Sequence, residues 1–157
     1  MREYSSAITL THNARGIYSI DPSVGCASGV NDDPKGCYSD CYAARYAKRY
    51  GYDFSKTVLR KFKDQKHIDS IVRKINRIEQ PFIRMGTSGD PSENWEHTID
   101  IIKKLDGISK EIVIITKHWN ALTDSQLKEI SKRKVCINTS VSVLDGDMLD
   151  VGLREHE

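Results

Sequence analysis

Residues 82–116 read FIRMGTSGDPSENWEHTIDIIKKLDGISKEIVIIT, and this stretch decides the fold. Its first four residues are apolar apart from Arg84 and end at a glycine-rich turn, GTSGDP, which marks a strand at 82–85. Residues 93–105 then place Trp95, Ile99, Ile102 and Leu105 on one helical face. The run Ile112, Val113, Ile114, Ile115 is short, continuously apolar and β-branched, as expected of a strand buried on both faces. Strand, helix and strand in that order call for a crossover connection, which joins parallel strands.

The same grammar continues on either side. Downstream, Thr123 and Gln126 form a capping box before a helix that uses Leu127 and Ile130. A strand is expected at 135–143 and the start of another helix at 145–151. Upstream, 7–11 and 17–20 are short strand candidates, and 21–36, rich in Gly, Pro, Asp and Asn, reads as a loop. Residues 38–50 look helical, with Gly51 as the stop. From Asp64, a candidate N-cap, the positions Ile68, Ile71, Val72, Ile75 and Ile78 repeat at helical spacing. The predicted fold class is therefore α/β, a parallel sheet of about four βα units covered by helices.

A length of 157 residues suits one domain spanning 1–157, and there is no internal repeat or low-complexity segment. Hydrophobic content of 38%, charged content of 29% and a net charge of +2 are ordinary for a globular protein and give no global polyanion signature. The N-terminal residues lack the apolar stretch of a secretory signal, and no run approaches the roughly 18 apolar residues of a membrane span. A cytoplasmic protein with no membrane partner is expected. Phosphate-loop, nucleophile-turn and His-Glu-His patterns are absent from the sequence.

Cys26, Cys37 and Cys41 are the main chemical signal, with ten residues between the first two and three between the last two. In a reducing compartment such a group reads as metal ligands or redox thiols rather than as a disulfide frame. Three thiolates leave a four-iron cluster or a zinc ion one ligand short, and an open position permits chemistry. The alternative is a structural zinc site completed by His12 or Cys136, in a non-catalytic module that binds nucleic acid or a protein partner. Cys136 itself lies in the apolar run VCI and is expected in the core. Cys41 as a redox thiol lacks the close partner that a two-cysteine oxidoreductase requires.

In parallel sheets the chemistry collects at the strand ends that feed forward into helices. The thiols follow the first strand region, 86–91 the second, 116–120 the third and 140–145 the fourth, so four segments are expected to meet on one face. Taken alone, 86–91 is an ordinary strand-to-helix turn with Ser92 as helix cap. Lys117 and His118 read equally as a solvated strand end, and Ser140 and Ser142 as alternation along a strand.

The charge is unevenly spread. Within 45–66 lie Arg45, Lys48, Arg49, Lys56, Arg60, Lys61, Lys63 and Lys66 against Asp53 and Asp64. Tyr42, Tyr46, Tyr50 and Tyr52 lie in or beside this segment, a combination that grips phosphates and stacks on bases. The spacing of Tyr42, Tyr46 and Tyr50 by four equally fits one packed helix face.

The residues Gly25-Cys26, Gly36-Cys37 and Cys41-Tyr42-Ala43-Ala44-Arg45 make the chain resemble the radical S-adenosylmethionine superfamily, especially its phage-associated and spore-photoproduct-lyase-like members. The resemblance implies a 4Fe-4S cluster on Cys26, Cys37 and Cys41, with S-adenosylmethionine on the remaining iron. It also implies an electron donor and a 5′-deoxyadenosyl radical that abstracts hydrogen from substrate, nucleic acid being one candidate class. Gly86, Thr87, Ser88, Gly89 and Asp90 stand where the family has a glycine-rich turn that receives the cofactor's amino group. Lys117 matches the third strand element, and Ser140 and Ser142 the fourth, which often contacts ribose or carboxylate. The family barrel usually has six strand-helix units and this sequence supplies about four. The resemblance thus implies the opening part of a partial TIM barrel, a half-barrel that a second copy would complete.

Overall fold

Short β-branched runs and apolar helical stripes assemble into a sheet whose core lies on one face. In chain order the elements are β1 (Leu10–His12), β2 (Tyr18–Ile20), β3 (Ser23–Val24), α1 (Ala27–Asn31), α2 (Tyr42–Tyr50) and β4 (Val58–Leu59), then α3 (Gln65–Arg77), β5 (Phe82–Met85), α4 (Trp95–Lys104), β6 (Glu111–Thr116), α5 (Asp124–Ile130) and β7 (Val135–Thr139). This computed structural model describes residues 1–31, 37 and 41–140. Ser142, the remainder of the strand expected at 135–143, and the helix expected at 145–151 lie outside the described residues.

The main sheet has five strands in the order β1-β2-β5-β6-β7. The pairs β2 with β5, β5 with β6 and β6 with β7 are parallel, so the α/β architecture and its four parallel strands are present. β1 departs from the expectation by pairing antiparallel with β2. The cause is a tight turn in which the Asn13 carboxamide oxygen accepts from the Arg15 and Ile17 N–H groups, both at 3.0 Å. Each later crossover sets its strand beside the preceding one, giving sequential rather than reversed order.

Ile83 and Met85 of β5 and Ile112 and Ile114 of β6 pack with Ile71 and Ile75 of α3 and with Trp95, Ile101, Ile102 and Leu105 of α4. Each fully buried isoleucine contributes roughly 1.5–3 kcal/mol, which makes this face the main source of stability. β6 is not buried equally on both faces as its composition suggests, because Val113 and Ile115 on the other side are only half-buried. Cys136 likewise leaves the core expected for it. Strand alternation turns Val135 and Ile137 inward against the core and leaves Cys136 exposed.

Local signals place most helix ends. Asp64 caps α3 by accepting from His67 N–H at 2.8 Å, the Thr123–Gln126 capping box is formed, and Gly51 ends α2 in the left-handed conformation. α4 starts later than expected. Pro91 opens a 3-10 turn, Pro91–Asn94, capped by Asp90, and Asn94 then caps α4 by accepting from His97 N–H at 2.9 Å. Ser92 is therefore not the helix cap but a fully buried residue of that turn. The segment 21–36, expected to be loop, holds β3 and α1, and β3 pairs with β4 in a small antiparallel ribbon. Among the described residues no helix is long and apolar enough to cross a membrane.

Candidate functional site

The forward ends of the parallel strands enclose a cavity of about 290 Å³. Cys26, Cys37 and Cys41 line it together with Gly86, Thr87, Gly89 and Asp90 after β5, Thr116 and Lys117 at the end of β6, and Ser140 beyond β7. Four separate chain segments thus meet as the strand order requires. Ser88 belongs to the same turn but is not among the lining residues.

All three thiols are free, Cys26 buried and the other two half-buried. A Cβ placed on Gly29 would lie 3.3 Å from Cys26 Sγ and 3.5 Å from Cys37 Sγ, so both sulfurs face one glycine of α1. Burial pushes the Cys26 thiol up to about 12, against a backbone hydrogen bond from Gly29 and with the charges of Glu93 and Asp90 adding to the rise. Burial, then the neighbouring Cys41, also raises Cys37, while Lys117 acts in the opposite sense. A cation binding here must displace these protons. Among the described residues no three His, Cys, Asp or Glu side chains are gathered in metal-ligating positions. The thiols line one space without closing on a common point. The donor class is that of a thiolate-bound metal, whereas the placement is not, and a metal would bind only with the sulfurs drawn together.

The Cys26 segment is pinned to three other parts of the chain. Gly25 N–H donates to Ser88 O and Cys26 N–H to Phe54 O, each at 2.9 Å. Ala27 N–H donates to Thr57 Oγ1 at 3.0 Å, and Ser28 N–H to Glu93 Oε1 at 2.6 Å. The Thr57 hydroxyl donates in turn to Glu93 Oε2. Ala44 and Ala47 of α2 pack with Cys26 and Phe54, their small side chains letting the helix approach the thiol segment.

The β5 turn is built by Asp21. Asp21 Oδ1 accepts from Gly86 N–H at 2.8 Å and Thr87 N–H at 2.9 Å, and Oδ2 from Ser88 N–H at 3.0 Å and the Thr87 hydroxyl at 2.5 Å. Gly86 has φ 96°, and a Cβ on it would lie 1.9 Å from Ile115 O, so only glycine fits there. The amides of Gly86, Thr87 and Ser88 in this turn are occupied within the fold. Of its carbonyls, Thr87 O accepts from Tyr42 Oη at 2.6 Å and Ser88 O from Gly25.

Asp90, expected as a receiver of an ammonium group, is itself held by protein donors. Its Oδ1 accepts from Ser92 N–H at 2.9 Å, Ser92 Oγ at 2.8 Å and Thr116 Oγ1 at 2.5 Å, and its Oδ2 from Lys117 N–H at 2.7 Å. Oδ1 thus carries three donors and Oδ2 only one, which leaves acceptor capacity on Oδ2. Asp90 is the post that ties the β5 turn to the end of β6.

Beyond β6, His118 adopts the left-handed conformation at φ 59°. This reversal brings Trp119 N–H to Ser92 Oγ at 2.8 Å and sets the indole in the cavity wall beside Gly29. Trp119 Nε1 is buried without a hydrogen-bond partner, an orphaned donor that a bound acceptor would satisfy. Ser140 N–H continues the ladder to Thr116 O at 2.7 Å, which fixes Ser140 at the rim.

The zinc-completing candidates lie elsewhere. His12 pairs with Tyr18 at the start of β2, and Cys136 pairs with Val113 inside the sheet. Sequence reasoning missed Asp21, Gly29, Glu93 and Trp119. The acidic residue directly after a strand was the one available signal for Asp21, and a glycine between two cysteines the signal for Gly29. Comparison with family models, curated proteins and solved structures found no match to this chain.

Proposed function

We propose that the chain is an iron-sulfur protein of the radical S-adenosylmethionine type, or the half-barrel component of such an enzyme, with Cys26, Cys37 and Cys41 as cluster ligands. The observation that carries this reading is the shared cavity, in which three free thiols face the ends of β5, β6 and β7. A 4Fe-4S cluster with S-adenosylmethionine on its open iron supplies, with one electron from an external donor, a 5′-deoxyadenosyl radical for hydrogen abstraction from substrate.

The residues of this chain bind, orient and shield. Thr87 O and Asp90 Oδ2 belong to cavity-lining residues and each accepts one hydrogen bond, so each keeps a lone pair that would receive the cofactor's ammonium. Asp90 and Asp21 hold Gly86, Thr87, Ser88 and Gly89 in the shape that presents them. Lys117, close enough to Cys37 to favour its thiolate, offsets negative charge in the cavity and faces the cofactor's carboxylate. Ser140 at the rim would contact the cofactor's ribose or carboxylate. Trp119 and Phe54 supply apolar wall that excludes water.

Among the described residues β7 is an edge strand of the sheet, and a second copy completing a barrel would pair along such an edge, with a dimer mass in solution as the expected result.

Anaerobic reconstitution tests the reading. About four irons and four sulfides per chain, visible absorption, and a reduced-cluster electron resonance signal altered by S-adenosylmethionine are expected, all lost in Cys37→Ala. Stoichiometric zinc without visible absorption favours the non-catalytic zinc module instead, and a cluster unaffected by Cys37→Ala overturns the ligand assignment.

A further inference from the structure

Helix α2 turns its aromatic row outward. Tyr42, Tyr46 and Tyr50 are 65%, 63% and 44% exposed, while Ala44 and Ala47 on the other side are buried against the thiol segment. Spacing by four left open whether the tyrosines pack or project, and they project. Among the described residues the other exposed large hydrophobics are only Met1 and Leu127, so the apolar surface concentrates on this helix.

Cations run beside the row. Arg45 and Arg49 follow Tyr42 and Tyr46 at three-residue spacing and are exposed, as is Lys48, and α2 contains no acidic residue. An aromatic stripe edged by Arg45, Lys48 and Arg49 is complementary to a polyanion with flat apolar groups. We propose that this face of α2 is a stacking platform for single-stranded nucleic acid, leading toward the cavity.

The geometry selects a single strand. The rings of Tyr46 and Tyr50 stand 44° to each other, which does not match the parallel stack, about 3.4 Å per nucleotide, of a duplex strand. A strand following the row is therefore extended and unstacked, with its base faces free for the rings. The rings of Tyr46 and Tyr50 are 4.5 Å apart, too close for a base to slide between, so bases lie over their outward faces. At the other end Tyr42 both belongs to the row and lines the cavity, anchored through its hydroxyl to Thr87 O at 2.6 Å. The platform thus ends at the thiols. That the bound strand is a substrate rests on the radical reading, whereas its binding does not.

Fluorescence anisotropy with labelled 20-nucleotide single-stranded DNA and RNA, and with the matching duplexes, on metal-free and on reconstituted protein, tests this. Single strands are expected to bind both forms, and duplexes more weakly. Tyr46→Ala and Tyr46→Leu should weaken binding about 5- to 150-fold, the measured range for losing one stacked base, with Tyr46→Phe near wild type. The Arg45→Ala, Arg49→Ala double variant should flatten the log–log salt dependence by about 1.4, from roughly 0.7 per phosphate contact on a single strand. Circular dichroism checks that these surface variants stay folded. No binding, duplex preference, or full binding by Tyr46→Leu overturns the platform. Failed reconstitution with intact oligonucleotide binding overturns only the radical reading, and a loaded cluster without binding overturns only the platform.

Discussion

Asp21→Asn is the sharpest probe of how the fold makes the site. Asp21 is 2% exposed and its two oxygens accept three amide protons and one hydroxyl proton from Gly86, Thr87 and Ser88. An asparagine keeps one oxygen for the Gly86 and Thr87 amides and turns its NH2 group on the other pair of donors. The Thr87 hydroxyl can rotate to accept from it, but Ser88 N–H is left facing a donor. A hydrogen bond to a charged group contributes about 1.5–3 kcal/mol and a stranded buried donor costs about 1–3 kcal/mol, so the expected loss is roughly 2–4 kcal/mol. For a chain of this size that lowers Tm by roughly 5–15 °C. Urea and thermal unfolding of wild type, Asp21→Asn and Thr87→Val give the comparison. Thr87→Val, which removes only the hydroxyl, should lose about 1 kcal/mol. Asp21→Asn within about 0.5 kcal/mol of wild type, or less damaging than Thr87→Val, would refute the view that this carboxylate organises the turn.

Four further outcomes follow from the site. Gly86→Ala drives a methyl into Ile115 O at a backbone conformation that disfavours side chains, and should cost at least about 3 kcal/mol in denaturant unfolding. Gly29→Val places methyl groups between Cys26 Sγ and Cys37 Sγ, so metal bound per chain should fall while the far-UV spectrum stays unchanged. In metal-free protein at pH 8, iodoacetamide followed by mass spectrometry should label exposed Cys136 first and Cys26 last, since a value of about 12 leaves a thiolate fraction on the order of 10⁻⁴. The same raised thiol makes metal-free protein lose stability as pH climbs from the ordinary thiol value of 9.0 toward 12, because the unfolded chain releases its proton first.

Features set by neighbours a few residues away were legible in the sequence. The Asp64 cap, the Thr123–Gln126 box, the 82–85 strand and the alternation into four parallel strands all depend on local spacing. The topology rule for parallel sheets then placed the thiols, the β5 turn, Lys117 and Ser140 around one space. The antiparallel orientation of β1 had its signal in Asn13 and Gly16, which lie between the two short strand candidates. What was illegible lies far apart in sequence. Asp21 meets donors 65 to 67 residues away, and Asp90 accepts from Thr116 and Lys117 at separations of 26 and 27. No local pattern shows which distant donors a carboxylate will meet.

The separation of the two apolar clusters decides what metal removal does. The sheet core, from Ile20 and Ile75 to Met85, Ile102 and Ile114, contains no cysteine, whereas Cys26 belongs with Ala44, Ala47 and Phe54 in a second cluster. The amides of Gly25, Cys26, Ala27 and Ser28 already have protein acceptors, so the first thiol is positioned by folding alone. Binding energy at the thiols therefore goes into gathering sulfurs and displacing protons, not into folding the sheet, in contrast to domains whose apo form is unfolded. Amide hydrogen exchange of metal-free and metal-loaded protein reads this directly. Protection in β5 and β6 should be equal in the two forms, with differences confined to the thiol segment and α2. If β5 and β6 lose their protection when the metal is removed, the metal is a folding element, and the structural zinc module becomes the better account of the same three cysteines.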